Sequence, residues 1–336
     1  MERKIGLTLG KYAPLHRGHQ YVIESALAEM DEVYVMIYDS PEVTEVPLPV
    51  RSNWIRRLYP SVHIIEAWDG PSEVGDTPEI KLLQEEYVHR KLGGQQITHF
   101  YSSEFYGEHM SAALNAVNRQ VDPGRVKVPI SGTLARQCPY EQKAHLHPLV
   151  YRDLILSVVF VGAPSTGKTT LAERMAAKHH TVWMPEYGRE YWEQHQTERR
   201  LTKAQLVELA EGHLEREEQR LQQARNYLFV DTNAITTYMF SQYYHGDAHP
   251  RLAQLADEAS RRNDLVFVCA ADIPYDDTWD RSGDVERQIF QKQIMADLQM
   301  RKIPFITLTG SLEERERKVD EALRKHSKYS SLGEWL

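Results

Sequence analysis

The sequence predicts an α/β protein built from two doubly wound parallel-sheet domains, and three observations carry that expectation. Short apolar runs alternate with longer helical patterns along the whole chain. The alternation restarts near the middle. Each half also contains a glycine-bearing corner between a first strand and a first helix, "GKYAPLHRGHQ" at 10–20 and "GAPSTGKT" at 162–169.

Taken in order, the first half offers strands at "KIGLTLG" (4–10), "EVYVMIY" (32–38), "SVHIIEA" (61–67) and "ITHFYSS" (97–103), with helical patterns at 18–29 and 78–91. The stretch "CPYEQKAHLHPLVYRDL" has two prolines and little periodicity, which puts a boundary near 139–153 and domains at 1–145 and 154–336. His145 and His147 read as linker or surface residues, as do His179 and His180, because no ligand set completes around them. The second half offers strands at "LILSVVFVG" (154–162), "NYLFVDT" (226–232), "DLVFVCA" (264–270) and "IPFITLT" (303–309). Helical patterns follow at 168–178, 203–224, 286–300 and 311–324; 203–224 is rich in Glu and Arg and reads as amphipathic with one solvated face. In open α/β sheets ligands bind beyond the carboxyl ends of the strands, where both glycine-bearing corners fall.

Composition excludes several classes of function. With 336 residues, 41% hydrophobic and 26% charged, the chain is an ordinary globular one, and its net charge of -8 argues against a protein that coats nucleic acid. Two cysteines, Cys138 and Cys269, stand in no metal-like spacing and fit a reducing compartment. The start "MERKIGLTLG" lacks a signal-peptide core, and the longest apolar stretch, "LILSVVFVGA", is too short to span a bilayer. A cytoplasmic location is expected, with neither membrane nor nucleic acid as partner. A homo-oligomer stays an open alternative.

"GAPSTGKT" fits G-x-x-x-x-G-K-[ST] at every fixed position, with an apolar strand before it and a helical pattern after it. Gly162, Ala163, Pro164, Ser165, Thr166 and Gly167 would curl so that consecutive amides face phosphate oxygens, continuing into Lys168, Thr169 and Thr170 at the helix N-terminus. Lys168 is expected on the β- and γ-phosphates of ATP, and the Thr169 hydroxyl on Mg²⁺. Asp231, closing the strand "NYLFVDTN", is the second Mg²⁺ candidate, through water. "WMPEYGREY" brings Glu186, Arg189 and Glu190 to the same edge, where a carboxylate can accept the proton of an attacking hydroxyl. "DIPYDDTWDRSGDVERQ" suits a lid whose Arg281 and Arg287 neutralise a transferring phosphoryl group, and a plain surface loop is an equal alternative. Tyr187, Tyr191 and Trp192 could stack on a flat ring or fill a core.

In the first corner His16 and His19 are three apart, a spacing that suits a metal pair, but no third ligand stands at a recognisable spacing. Two imidazoles at a helix N-terminus can instead hydrogen-bond phosphate oxygens as charge grows on them. Gly10, Lys11, Tyr12 and Gly18 complete the G-x-[FY]-x-P-x-H-x-G-H pattern, which resembles the histidine signature of the nucleotidylyltransferase superfamily. "ISGTLAR", 130–136, matches the second signature, I-S-x-T-x-x-R; Ser131, Thr133 and Arg136 are suited to clamping phosphates. The class I aminoacyl-tRNA synthetases share the histidine signature, but the chain has no K-M-S-K-S.

The histidine signature joined to a P-loop resembles the bacterial bifunctional nicotinamide-nucleotide adenylyltransferase/ribosylnicotinamide kinase family. "YSSEFYG" (101–107), "PEYGREY", "DTN" and the Asp/Arg-rich region extend the likeness over nearly the whole chain. The resemblance implies a nucleotidylyltransferase domain followed by a P-loop kinase domain. It also implies ATP as co-substrate, Mg²⁺ as cofactor, and nicotinamide riboside, nicotinamide mononucleotide and NAD as ligands. It gives His16, His19, Arg136, Lys168, Glu186 and Asp231 the catalytic parts. Arg51 is a candidate for phosphate and Trp68 for a base, with Tyr187, Arg189, Tyr191 and Trp192 for the kinase substrate. Some relatives add an N-terminal helix-turn-helix repressor domain; with a first strand at about residue 4, repression is not expected here. Two alternatives remain, a different phosphorylated acceptor such as a pantetheine or flavin phosphate, and a P-loop domain that senses nucleotide without catalysis.

Overall fold

The computed structural model describes residues 3–329 except 72, 74, 105, 198–199 and 275–283. The chain folds as two compact units, Met1–Tyr151 and Arg152–Leu336. Each holds one five-stranded, wholly parallel sheet, so the doubly wound α/β expectation is met in both.

The first unit runs β1 (Ile5–Gly10), α1 (Arg17–Glu29), β2 (Glu32–Tyr38), α2 (Leu48–Leu58), β3 (His63–Ala67), α3 (Pro78–Leu92), β4 (His99–Ser102), α4 (Gly107–Ala113), β5 (Val117–Gln120) and α5 (Gly132–Gln137). A 3₁₀ turn at Lys143–His145 leads into α6 (Pro148–Leu154), within which the break between units falls. The "linker" is therefore ordered: Leu146 forms an antiparallel bridge with His16, and the His147 imidazole accepts from the Leu149 amide at 3.2 Å. Sheet order is β3-β2-β1-β4-β5, so the winding reverses between β1 and β4. Ile5, Leu7, Met36, Phe100, Tyr87 and Val88 form a core on one face, and they come from the strand and helix patterns read above. The sequence pattern missed β5, whose four residues VNRQ are all exposed; an edge strand with no buried face carries no apolar alternation.

The second unit runs β6 (Leu156–Val161), α7 (Lys168–Lys178), β7 (Trp183–Met184), α8 (Tyr187–His195), α9 (Lys203–Leu221), β8 (Tyr227–Asp231), α10 (Ala234–His245), α11 (Pro250–Arg262), β9 (Leu265–Cys269), α12 (Asp284–Met300), β10 (Ile306–Leu308) and α13 (Leu312–Lys325). The order β10-β9-β6-β8-β7 puts β6 at the centre, flanked by β8 and β9. All six residues of β6 are buried, as a central parallel strand requires. Val158, Phe160, Phe229 and Phe267 pack beneath Leu171 and Met175 of α7. Helix α9 is amphipathic as expected, but its inner face also buries His213 and Glu217, the latter within reach of Arg262 at 3.2 Å. Both cysteines are free thiols, and among the described residues no helix is long and apolar enough to cross a membrane.

Candidate active sites

In the first unit a cavity of about 320 Å³ opens at the carboxyl ends of β1, β2 and β4, at the point where the winding reverses. Gly10, Lys11, Tyr12, His19 and Arg136 line it, joined by Asp39, Ser40 and Glu42 after β2 and by Ser102, Ser103, Glu104 and Tyr106 at the end of β4. Ser102, Ser103, Glu104 and Tyr106 fall within the "YSSEFYG" segment quoted for the family likeness; Asp39, Ser40 and Glu42 were not singled out, and their position one to four residues past β2 was the available signal.

The histidine corner is built by helix capping. His16 is the N-cap of α1: its Nδ1 accepts from the His19 amide, and the His19 Nδ1 accepts from the His16 amide, each at 3.4 Å. The rings stack at 3.7 Å and 16°, with Tyr12 edge-on to His19. With Nδ1 an acceptor in both rings, the proton of each neutral imidazole sits on Nε2, which makes Nε2 a donor. Burial pushes the His16 pKa down to about 4, helped by Arg125, His145 and Arg136. Burial and the neighbouring His16 hold His19 well below its ordinary value. Both rings are thus neutral at neutral pH. Gly18 lies close under the stack, where a Cβ would come within 3.1 Å of the His16 ring and press on it.

The second signature folds onto this corner. Ser131 caps α5 through the Leu134 amide at 3.2 Å. Arg136 Nη1 donates to the Ala13 carbonyl at 2.6 Å and Nη2 to Thr133 Oγ1 at 3.3 Å, so the two signatures are tied through one guanidinium. Among the described residues no group of three or more His, Cys, Asp or Glu is placed to hold a metal ion.

Two expectations for this unit require correction. The Arg51 guanidinium is fully buried and directed to backbone carbonyls, Val46 at 2.9 Å, Lys11 at 2.5 Å and Tyr38 at 2.8 Å, with Asp39 at 3.4 Å. It holds the ends of β1 and β2 together and has no place on the cavity wall. Trp68 is 56% exposed, donates to Glu66 at 3.1 Å and lies outside the cavity lining.

In the second unit, "GAPSTGKT" wraps between β6 and α7 with positive φ at Gly162 (143°), Ser165 (58°) and Gly167 (80°). A Cβ on Gly162 would lie 2.7 Å from the Cys269 carbonyl, so the first glycine is needed for space as well as conformation. Buried Lys168 reaches back across the loop to the Ala163 carbonyl at 3.0 Å, alongside Thr166 Oγ1 at 2.8 Å. Pro164 and Ser165 are half-buried, and Thr170 is exposed on α7. Two braces escaped the sequence reading. Gln291 bridges the Ala163 amide at 2.8 Å and the Cys269 carbonyl at 3.1 Å, and buried Arg315 donates to the Thr166 carbonyl at 2.7 Å. Helical spacing had marked both only as members of α12 and α13.

Asp231 closes β8 opposite the loop. Its Oδ2 accepts from Thr169 Oγ1 at 2.5 Å, while Oδ1 is buried with no hydrogen-bond partner among the described residues. Burial, then repulsion by Glu186, raises its pKa to about 6, opposed by Lys168 and by Arg189. An orphaned buried carboxylate oxygen beside a threonine hydroxyl fits a hard cation, so Thr169 and Asp231 suit Mg²⁺. Glu186, partly exposed at the start of α8, shares the field of Asp231 and Lys168.

The remaining expectations divide. Glu190 is engaged by Arg216 at 2.8 and 3.0 Å on the surface. Tyr191 is buried among Leu206, Leu209 and Leu252 with its hydroxyl on Glu208 at 2.5 Å, and Trp192, partly buried, packs against the same cluster. Tyr187 lies under the Arg216 guanidinium at 3.8 Å and against Gly212. Their aromatic helix pattern could not separate a stacking face from a packing face. Arg287 is buried and donates to the Ile273 carbonyl at 2.7 Å, one turn before Gln291. Arg281 and most of the lid-like stretch lie outside the described residues.

Comparison with known proteins agrees with this geometry. The family model described as an AAA domain matches residues 157–315. The trifunctional NAD biosynthesis/regulator protein NadR of Escherichia coli (strain K12) is 26% identical, the alignment covering 91% of this chain and 78% of that protein. NadR of Salmonella typhimurium (strain LT2) gives the same figures. Crystal structures of NadR in complex with NAD and AMP-PNP, and with NR, share the fold at TM-score 0.56 and 21% and 22% identity, over 96% of each chain. Along nine-tenths of its length, the chain is similar to the NadR proteins.

Proposed function

We propose that the two units catalyse consecutive steps of NAD synthesis: the second phosphorylates the 5′-hydroxyl of nicotinamide riboside, and the first transfers the adenylyl group of ATP to the resulting mononucleotide. Similarity to proteins named for NAD biosynthesis, and to crystal structures of NadR in complex with NAD and AMP-PNP and with NR, supports the pathway. The observation that carries the pair of reactions is the presence of two separate phosphate-gripping corners, the stacked His16–His19 pair tied to Arg136 and the P-loop facing Asp231.

In the second unit the loop amides and Lys168 hold the phosphate chain of ATP, and Arg315 and Gln291 keep the loop curled. Thr169 and Asp231 would hold Mg²⁺, which would supply charge neutralisation for the phosphate chain. Asp231 is committed to that role by its burial, which leaves Glu186 to accept the proton of the attacking hydroxyl. In the first unit the 5′-phosphate attacks the α-phosphorus and pyrophosphate leaves. No covalent protein intermediate is required. Neutral His16 and His19 donate from Nε2 to phosphate oxygens as charge accumulates, and Arg136 takes the leaving pyrophosphate.

Incubation with ATP, Mg²⁺ and nicotinamide riboside, followed by chromatography, tests both steps. Mononucleotide forms first and NAD after it. Mononucleotide without NAD would remove the first unit's assignment; NAD from supplied mononucleotide, with none from riboside, would remove the second's.

A further inference from the structure

A second arginine stands beside the histidine pair, outside both signatures. Arg125 lies in the loop between β5 and α5. The Asp122 carboxylate accepts the amides of Val126, Lys127 and Val128 at 2.9, 3.1 and 2.9 Å, and both Asp122 (φ 51°) and Arg125 (φ 49°) adopt left-handed backbone. Non-glycine residues in that region cost on the order of 1 kcal/mol each, so three hydrogen bonds on one carboxylate are what hold the loop. The path of Arg125 away from the backbone is thereby set before a ligand arrives.

Its guanidinium ends on the Glu104 carboxylate at 2.7 Å, and Glu104 lines the cavity with His19 and Arg136. The two side chains are 43% and 42% exposed. An ion pair of that kind is worth about 0–1 kcal/mol, so it exchanges readily for a better anion. A phosphate contacted by a guanidinium is such an anion, because the contact is charge-assisted and bidentate. The positive charge of Arg125 also contributes to holding both His16 and His19 neutral, which puts it within electrostatic reach of both rings.

We propose that Arg125 is a further phosphate-binding residue of the adenylyl-transfer site, held on Glu104 in the free protein and passed to the nucleotide's phosphate chain on binding. The inference rests on the adenylyltransferase reading of the first unit, and its test separates the two. Inorganic pyrophosphate is titrated calorimetrically into the full chain carrying Lys168→Ala, which silences the other phosphate loop. Arg125→Ala weakens binding about tenfold or more, Arg125→Lys weakens it less, and Glu104→Gln, which removes the competitor, tightens it severalfold. Unchanged affinity in Arg125→Ala overturns the proposal. So does a loss in Glu104→Gln equal to that in Arg125→Ala, since the pair would then be only a brace. In NAD formation, with Lys168 intact, Arg125→Ala raises KM for ATP and leaves KM for the mononucleotide unchanged. Pyrophosphate binding that depends on Arg125 in a chain that makes no NAD upholds the inference and removes only the assigned acceptor. NAD formation and pyrophosphate binding both indifferent to Arg125 remove the inference alone.

Discussion

On the proposed reading the two corners solve one problem, gripping phosphate where a strand hands over to a helix, with opposite materials. The second unit uses backbone: positive φ at Gly162, Ser165 and Gly167 curls the loop, and one lysine, Lys168, crosses it. The first unit uses side chains: His16 and His19 cap α1 through each other, stack, and stay neutral. A curled loop is general for phosphate because its amides carry no titration. The imidazole pair instead offers two donors whose protons are fixed on Nε2 by the cap itself. The imidazole pair carries a pH limit through its own titration, and the second unit acquires a different one through Asp231.

The largest expected effects come from removing one grip at a time. His19→Ala lowers the rate of NAD formation from mononucleotide by about 10²–10³ and leaves riboside phosphorylation unchanged; Lys168→Ala does the reverse. Steady-state rates of the separate reactions check both. Next is Arg51→Ala, which strips partners from the Val46, Lys11 and Tyr38 carbonyls inside a closed core. Denaturant unfolding followed in the first unit should show a loss of about 3 kcal/mol, whereas a phosphate-binding Arg51 would leave stability intact and cut the rate.

Acid distinguishes the units more finely. Asp231 has a folded pKa of about 6 against an ordinary 3.8, so the folded second unit holds the extra proton between those values. Its contribution to stability is present below about pH 4 and is lost as pH rises through 6. Magnesium must displace that proton, so magnesium-dependent nucleotide binding weakens below about pH 6, which calorimetry across pH 5–8 reads directly. His16 has the opposite sign: depressed to about 4 from 6.5, it contributes stability that is complete above 6.5 and disappears as pH falls through 4. Acidification from pH 6.5 towards 4 therefore destabilises the first unit through this ring and not the second through Asp231. The smallest effect is expected at exposed Trp68, where Trp68→Ala should leave KM for both substrates of adenylyl transfer within twofold.

Legibility in the sequence followed the same division. Both corners could be read in advance because each is a local device, complete within about ten residues and bounded by an apolar strand and a helix. The strands with a buried face were legible as well. Edge strand β5 was not, because VNRQ buries nothing, and neither were the braces Gln291 and Arg315, whose partners lie 128 and 149 residues away. Arg51 misled for a related reason. An arginine near a predicted phosphate site carries the same letter whether it faces a ligand or three carbonyls. Tyr191 and Trp192 misled likewise: aromatic residues at helical spacing supply a core as readily as a binding face.

The division of labour between the corners is tested most directly by mixing two disabled proteins. His19→Ala alone, given ATP, Mg²⁺ and nicotinamide riboside, should stop at the mononucleotide, and Lys168→Ala alone should leave riboside untouched. Combined in one tube, they should restore NAD. Full NAD synthesis by His19→Ala on its own, or none from the mixture while each variant keeps its other reaction, would contradict the assignment of one step to each corner.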